Sequence, residues 1–240
     1  MADNWDAEEQ DSNLPLVVND ISDPRYKTLT RRIDGLINPP DEPRRYIGAS
    51  GIGNLCERKI WYGYHGIAGE PISAKLLRTF EIGKRLESMI LDALEASGIL
   101  LERNPNNLGF RDPDLPEFHG HADALWLGKD DDVLIEIKTA KDSSFRIFER
   151  KGLREWNPNY YSQMQAYMGM SGITQGYLLA LNKDTSELHD ELIKFDPMHY
   201  ADLRAKAQRI ITATEAPERI NNNPIFYICR GCPFKEVCHA

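Results

Sequence analysis

The chain has 240 residues, enough for one large domain or two small ones with a substantial core, and it carries a formal net charge of −8. No apolar run approaches the length of a membrane-spanning helix and the start shows no signal-peptide pattern, so the sequence reads as a soluble, cytoplasmic protein with no membrane partner. The charge is uneven: residues 1–23 hold seven acidic side chains and no Lys or Arg, the rest of the chain is near −1 with basic pairs at Arg44–Arg45, Arg58–Lys59 and Lys84–Arg85, and the balance neither excludes nor announces nucleic acid.

Residues 1–45 are polar, interrupted by Pro39, Pro40 and Pro43, and read as an acidic, flexible leader ahead of one domain at 46–240. A short helix is expected at 25–37. The segment from Tyr46 to Tyr62 carries glycines at 48, 51 and 53. No strand precedes them and no Gly-Lys-Ser/Thr follows, so a phosphate loop is a weak reading, and a loop leading into a helix at 52–64 is expected. Cys56 opens that helix, followed by Arg58 and Lys59.

Residues 76–96 form the clearest helical pattern. Leu76, Phe80, Gly83, Glu87, Ile90 and Leu94 recur at spacings of four and three and predict one core-facing stripe. Glu87 falls in its middle, where a carboxylate must find a cationic partner or a metal. Gly83, one turn earlier, leaves room for a backbone or ligand. Short strands are expected at 99–103 and 107–111.

A hairpin is then expected from strands at 117–127 and 133–139, joined by Gly128, Lys129 and three aspartates. Alternation puts His119, His121 and Asp123 on one face of the first strand. It puts Glu136 and Lys138 together on the second strand, opposite Val133, Ile135 and Ile137. Two carboxylates and a lysine are the parts needed to hold a hard divalent cation and a nucleophilic water. Glu-x-Lys alone also fits a charged, solvated strand face.

A helix at 143–152 should stop at Asn157-Pro158. A second, at 159–170, places Tyr160, Gln163, Met164 and Tyr167 on one face, and Gln163 is there either a satisfied core amide or a group aimed at a ligand. Strands at 173–182 and 187–195 and a helix at 197–214 complete the pattern. The chain ends on Cys229-x2-Cys232-x5-Cys238, which with distant Cys56 makes all four of its cysteines. Two disulfides are disfavoured in a cytosolic setting, and four thiolates on one soft metal centre explain the set better. Tetrahedral sulfur suits zinc or an iron–sulfur cluster; three clustered ligands with one remote lean toward the cluster. Either would tie the N-terminal part of the domain to its C-terminus.

In order, these pieces resemble the RecB-like branch of the PD-(D/E)XK nucleases, and within it the iron–sulfur members such as the CRISPR-associated four-cysteine nucleases, the AddB C-terminal nuclease and phage exonucleases. The Gly-x-x-x-His/Glu helix motif appears as Gly83-Lys-Arg-Leu-Glu87, Gly-x-x-Asp as Gly120-His-Ala-Asp123, and Glu-x-Lys as Glu136-Ile-Lys138. The Gln-x-x-x-Tyr motif appears as Gln163-Met-Gln-Ala-Tyr167, and Cys56-Glu-Arg-Lys matches the upstream cysteine motif. The family's proline before the aspartate is replaced by Ala122, and the helix motif ends in Glu rather than His.

The resemblance implies an α/β, restriction-endonuclease-like core: a central mixed sheet flanked by helices. It implies a metal-dependent DNA exonuclease of a bacterial or phage-infected cell, acting in DNA processing, recombination or repair on single strands or free ends. The alternative is a catalytically weak DNA-binding subunit of a recombination or CRISPR-adaptation complex. Asp123, Glu136, the Ile137 carbonyl and Glu87 would hold Mg²⁺ or Mn²⁺, and Lys138, Gln163 and Tyr167 would complete the catalytic set. Cys56, Cys229, Cys232 and Cys238 would hold a 4Fe-4S cluster, with zinc the alternative. Arg58, Lys59, Lys84, Arg85 and His121 are candidate DNA contacts, and a helicase, annealing protein or integrase is the candidate partner.

Overall fold

The computed structural model describes residues 29–36 and 45–240, and the chain divides into two units, 1–38 and 39–240. The acidic run at 1–23 and nearly all of the expected flexible leader lie outside the described residues. In the first unit the described element is helix α1 (Leu29–Leu36).

The second unit begins with β1 (Ile47–Gly48), α2 (Ala49–Ile52) and α3 (Glu57–Tyr64). The helix expected at 52–64 begins later, at Glu57, after the separate short helix α2, and Cys56 takes its N-cap position. Helix α4 (Ala74–Ala96) is capped by Ser73, whose hydroxyl accepts the Leu76 N–H at 3.3 Å. Strands β2 (Leu101–Glu102), β3 (Gly109–Arg111), β4 (Phe118–His121), β5 (Ala124–Trp126) and β6 (Val133–Ala140) follow. Then come α5 (Asp142–Lys151), α6 (Leu153–Trp156), α7 (Pro158–Ser171), β7 (Gln175–Asn182), β8 (Leu188–Lys194), α8 (Pro197–Thr212), α9 (Tyr227–Arg230) and α10 (Lys235–His239).

Five strands form a mixed sheet in the order β2-β5-β6-β7-β8, with β6 and β7 parallel and the other pairs antiparallel. The parallel pair needs a long crossover, and α5, α6 and α7 supply it. A second sheet, β1-β4-β3, pairs β1 parallel and β3 antiparallel to β4. The molecule is therefore mixed α/β with a central mixed sheet flanked by helices. The strand expected at 117–127 is corrected here: it is two strands in two sheets, broken at Ala122–Asp123, so His119 and His121 do not share one strand face with Asp123.

The faces expected for β6 are the ones observed. Leu134 and Ala140 join the larger core with Phe118, Phe145, Phe148, Met164, Met168 and Leu178, while Ile135 and Ile137 join a smaller core with Ile90 and Leu91 of α4. Phe118, Phe145 and Phe148 are fully buried, and each ring removed from water contributes about 1.5–3 kcal/mol. Helix α7 is sheathed on all sides, with every residue from Ser162 to Met168 buried. The Asn157 side chain caps it by accepting the Asn159 and Tyr160 N–H groups, Pro158 opens it, and Gly172, at φ 78°, closes it in the left-handed region.

The stripe expected on α4 is only half used. Ile90 and Leu91 are buried, but Leu76 and Phe80 are exposed, because only the C-terminal half of the helix packs against β6. Glu87 sits at that boundary, half-buried rather than deep in a core. A side-chain cross-link spans the fold elsewhere. Asp112, 1% exposed, accepts the Tyr200 hydroxyl and the Arg204 Nε at 2.7 Å each, and the Asp114 and Leu115 backbone N–H groups at 3.0 Å. None of the described helices is long and apolar enough to cross a membrane.

Candidate active site

Glu136 and Lys138 leave the same face of β6, toward α7. The Glu136 side chain is 2% exposed, and its Oε1 accepts both the Lys138 ammonium and the Gln163 amide, the latter at 2.7 Å. The same amide lies 2.8 Å from the Tyr167 hydroxyl, which donates to the His121 carbonyl at 2.6 Å. Gln163 and Tyr167 thus tie strand β6 to the end of β4. The Lys138 ammonium also stands 4.9 Å from the centroid of the Tyr160 ring, a cation–π contact.

Asp123 lies in the break between β4 and β5, and its Oδ2 accepts the Ile137 N–H at 2.7 Å. The break that removes Asp123 from the strand face is what brings its carboxylate alongside β6. Gly120 makes room for this arrangement. A Cβ there would stand 2.7 Å from the Ala49 Cβ and 2.9 Å from the Tyr167 ring, so any side chain would push α2 and Tyr167 away. By contrast a Cβ on Gly83 would meet nothing within 4 Å, so the room it leaves is open space.

The electrostatics are those of a site short of positive charge. Burial, reinforced by the Asp123 charge and opposed by Lys138, pushes Glu136 up to about 8. Burial also raises Asp123, against the pull of Lys138 and the Ile137 hydrogen bond. Burial and the Asp123 charge raise Glu87, which shows that α4 delivers its carboxylate within electrostatic reach. Burial works against the charge on Lys138, but Glu136 and Asp123 outweigh it and hold the amine above the ordinary lysine range. Glu136 Oε2 is buried with no hydrogen-bond partner among the described residues.

One ammonium stands among three carboxyl groups, one of which keeps an unused buried oxygen. That donor set fits a hard divalent cation. As they stand, no three His, Cys, Asp or Glu side chains among the described residues are gathered into a metal-holding group, and the Lys138 ammonium is the counter-ion of Glu136.

The four cysteines, free thiols with Cys229 buried, line one pocket together with Arg58, Lys59, Tyr62 and Lys235. Burial raises the Cys229 and Cys232 thiols, and the neighbouring cysteines raise them further. No disulfide joins them; Cys56 lines the same pocket as the C-terminal trio, but among the described residues the four are not gathered into a metal-holding group.

The candidate DNA contacts fall in three places. Arg58 is committed to the Pro217 carbonyl and the Tyr62 hydroxyl, at 2.9 Å each, and Lys59 lies on the cysteine pocket. Lys84 and Arg85 are exposed on α4 near Glu87, with Arg85 paired to Glu81 at 3.0 Å. His121 is exposed at the end of β4. Sequence reasoning gave Tyr160 a place on the right face but no role beside Lys138, and the Asp112 network had no local signal, because Arg204 lies 92 residues away.

A central mixed sheet flanked by helices, with Glu136 and Lys138 on its middle strand and Asp123 at the neighbouring strand break, is consistent with a restriction-endonuclease-like fold. No family model and no curated protein sequence matches the chain. Solved structures do. The crystal structure of LHK-Exo in complex with dAMP aligns with a TM-score of 0.54 at 16% identity, covering 70% of this chain and 87% of that one. The alkaline exonuclease LHK-Exo from Laribacter hongkongensis aligns at 0.53, also at 16% identity, over 70% and 87%. The crystal structure of SSO0001 aligns at 0.50 and 19% identity, over 85% of this chain and 90% of that one. At these identities the likeness is one of fold.

Proposed function

We propose that this protein is a metal-dependent deoxyribonuclease of the PD-(D/E)XK type, acting as an exonuclease on DNA. The observation that carries the reading is the joining of Asp123, Glu136, Lys138, Gln163 and Tyr167 into one buried cluster with an unsatisfied carboxylate oxygen. The fold neighbours support the direction of action: LHK-Exo is an alkaline exonuclease, and one of its structures holds dAMP.

Asp123, Glu136, the Ile137 carbonyl and Glu87 are the oxygen donors that would hold Mg²⁺ or Mn²⁺. A bound ion of this kind supplies charge neutralisation at the scissile phosphate and a water of lowered pKa. Lys138, held as an ammonium, acts as a donor that orients the attacking water and stabilises negative charge developing on the phosphate. Gln163 fixes the orientation of Glu136 and, with Tyr167, locks β6 to the end of β4, so the carboxylates need little reorganisation during reaction.

The four cysteines are read as a single soft-metal site, an iron–sulfur cluster with zinc as the alternative. The support is one pocket lined by all four sulfurs, with Lys59 opposing the burial that raises the Cys232 thiol. The site would tie the start of α3 to α9 and α10 and add its binding free energy to folding.

The test is a substitution series. Asp123→Ala, Glu136→Ala and Lys138→Ala are each expected to abolish Mg²⁺-dependent phosphodiester cleavage while circular dichroism and cooperative unfolding persist. Full activity in any one folded variant overturns the assignment. Metal analysis of anaerobically purified wild type should find iron with acid-labile sulfide, or zinc, and Cys→Ser at 56, 229, 232 or 238 should deplete it. A wild type stable without either metal refutes the four-sulfur site.

A further inference from the structure

The outer face of the small sheet β1-β4-β3 has no part in the cluster just described, and its composition is unusual for a solvent-facing sheet. Register places Gly48 beside His119, Arg111 opposite His119, and Gly109 opposite His121, so these residues share one face, with Tyr46 at its rim. The opposite face, Ile47 and Phe118, is buried in the larger core. On the outer face the Tyr46 and His119 rings stack at 4.0 Å between centroids and 19° between planes.

Gly109 leaves room for the His121 ring, since a Cβ there would meet the imidazole at 3.0 Å, whereas one on Gly48 would make only ordinary contact with the Tyr46 ring at 3.5 Å. The rings therefore lie over neighbouring strands and form a low shelf. Arg111 and His121 are exposed, Tyr46 and His119 half-exposed, and Arg111 makes no ion pair or hydrogen bond with the described residues. The shelf and the carboxylate cluster share the end of β4: the His121 carbonyl receives the Tyr167 hydroxyl, and Asp123 follows two residues later.

We propose that this face is a binding platform for single-stranded DNA, on which an unpaired base stacks on the Tyr46–His119 pair and Arg111 engages the adjoining phosphate. The proposal rests on the nuclease reading for the identity of the ligand and deepens it by naming the strand state of the substrate. Stacking requires a base whose face is free, which a duplex offers only at its ends. The Arg111 guanidinium, unpaired among the described residues, supplies the charge complementary to the backbone.

The experiment is fluorescence anisotropy in EDTA, where binding is read without cleavage, using an end-labelled oligothymidylate and a blunt duplex of equal length. Tyr46→Ala is expected to weaken single-strand binding about 5- to 150-fold, while Tyr46→Phe stays within about twofold of wild type because it keeps the ring face. Arg111→Gln is expected to lower the slope of log affinity against log salt by about 0.7. Duplex binding should respond to Tyr46→Ala much less than single-strand binding. Unchanged single-strand affinity in Tyr46→Ala, equal losses on both ligands, or no measurable wild-type affinity for the single strand each overturns the platform. A wild type that shows this binding pattern but cleaves no DNA in Mg²⁺ or Mn²⁺ sinks the nuclease reading and leaves the platform standing.

Discussion

Glu136 is built at a cost to the fold, and the cost can be measured. Burial and the Asp123 charge move its pKa from an ordinary 4.5 to about 8. In the unfolded chain the carboxyl ionises above 4.5; in the folded, metal-free protein it keeps its proton until about 8. A raised folded pKa on an acid is destabilising: the penalty is absent below 4.5, grows as pH rises, and levels off above about 8. At 1.36 kcal/mol per pKa unit the penalty gained between pH 5 and pH 8 is on the order of 3 kcal/mol. Glu136→Gln removes the titration while its carbonyl can still accept from Lys138 and Gln163. Lys138 stays charged throughout this range and faces a neutral group in both folded proteins below about pH 8, so exchanging the carboxyl for an amide offsets the variant by a near-constant amount. Urea unfolding of both proteins in EDTA from pH 5 to pH 8 should therefore show wild type losing about 3 kcal/mol relative to Glu136→Gln as pH rises. Added Mg²⁺ should restore wild type at pH 8 and leave the variant nearly unmoved. A stability difference that is flat with pH would refute the idea that Glu136 is a buried carboxyl awaiting a cation.

Gly120→Ala places a methyl 2.7 Å from the Ala49 Cβ and 2.9 Å from the Tyr167 ring, and should cost about 1–3 kcal/mol in chemical denaturation and lower cleavage with it. Tyr167→Phe loses the hydrogen bond to the His121 carbonyl, so a stability loss of about 1 kcal/mol is expected, with cleavage falling more than DNA affinity. Asp112→Ala strands two backbone N–H groups and the Tyr200 hydroxyl, while Arg204 keeps its Asp114 partner, at about 3 kcal/mol by urea unfolding. In wild type, burial opposes ionisation of Asp112, but the Tyr200 and Arg204 hydrogen bonds outweigh it and depress its pKa. Its stabilisation is thus present above the ordinary 3.8 and lost as pH falls through the lower folded value, so the gap between wild type and variant should narrow on acidification.

Much of this site was legible in the sequence because its information is local. Period-two alternation in Val133–Thr139 placed Glu136 and Lys138 together, and helical spacing placed Gln163 and Tyr167 on the face that meets them. The break at Ala122–Asp123 was not legible. The segment 117–127 is β-prone throughout, and only the competing pairings, β4 with β1 and β3 and β5 with β2 and β6, decide that the chain changes sheets there. Periodicity likewise marked the α4 stripe but carried no record of how far the sheet extends, so exposed Leu76 and Phe80 read as core. The Tyr46–His119 shelf is assembled by a parallel pairing of segments some seventy residues apart, which no short window of sequence contains.

The most direct test of the central claim is a time course on end-labelled linear DNA, single- and double-stranded, beside closed circles, with Mg²⁺, Mn²⁺ or EDTA, for wild type and Lys138→Ala. The account predicts metal-dependent loss of the linear molecules, sparing of circles, and no loss in EDTA or in the variant. Degradation that persists in EDTA or in Lys138→Ala, or wild-type protein inert with both metals, would contradict it.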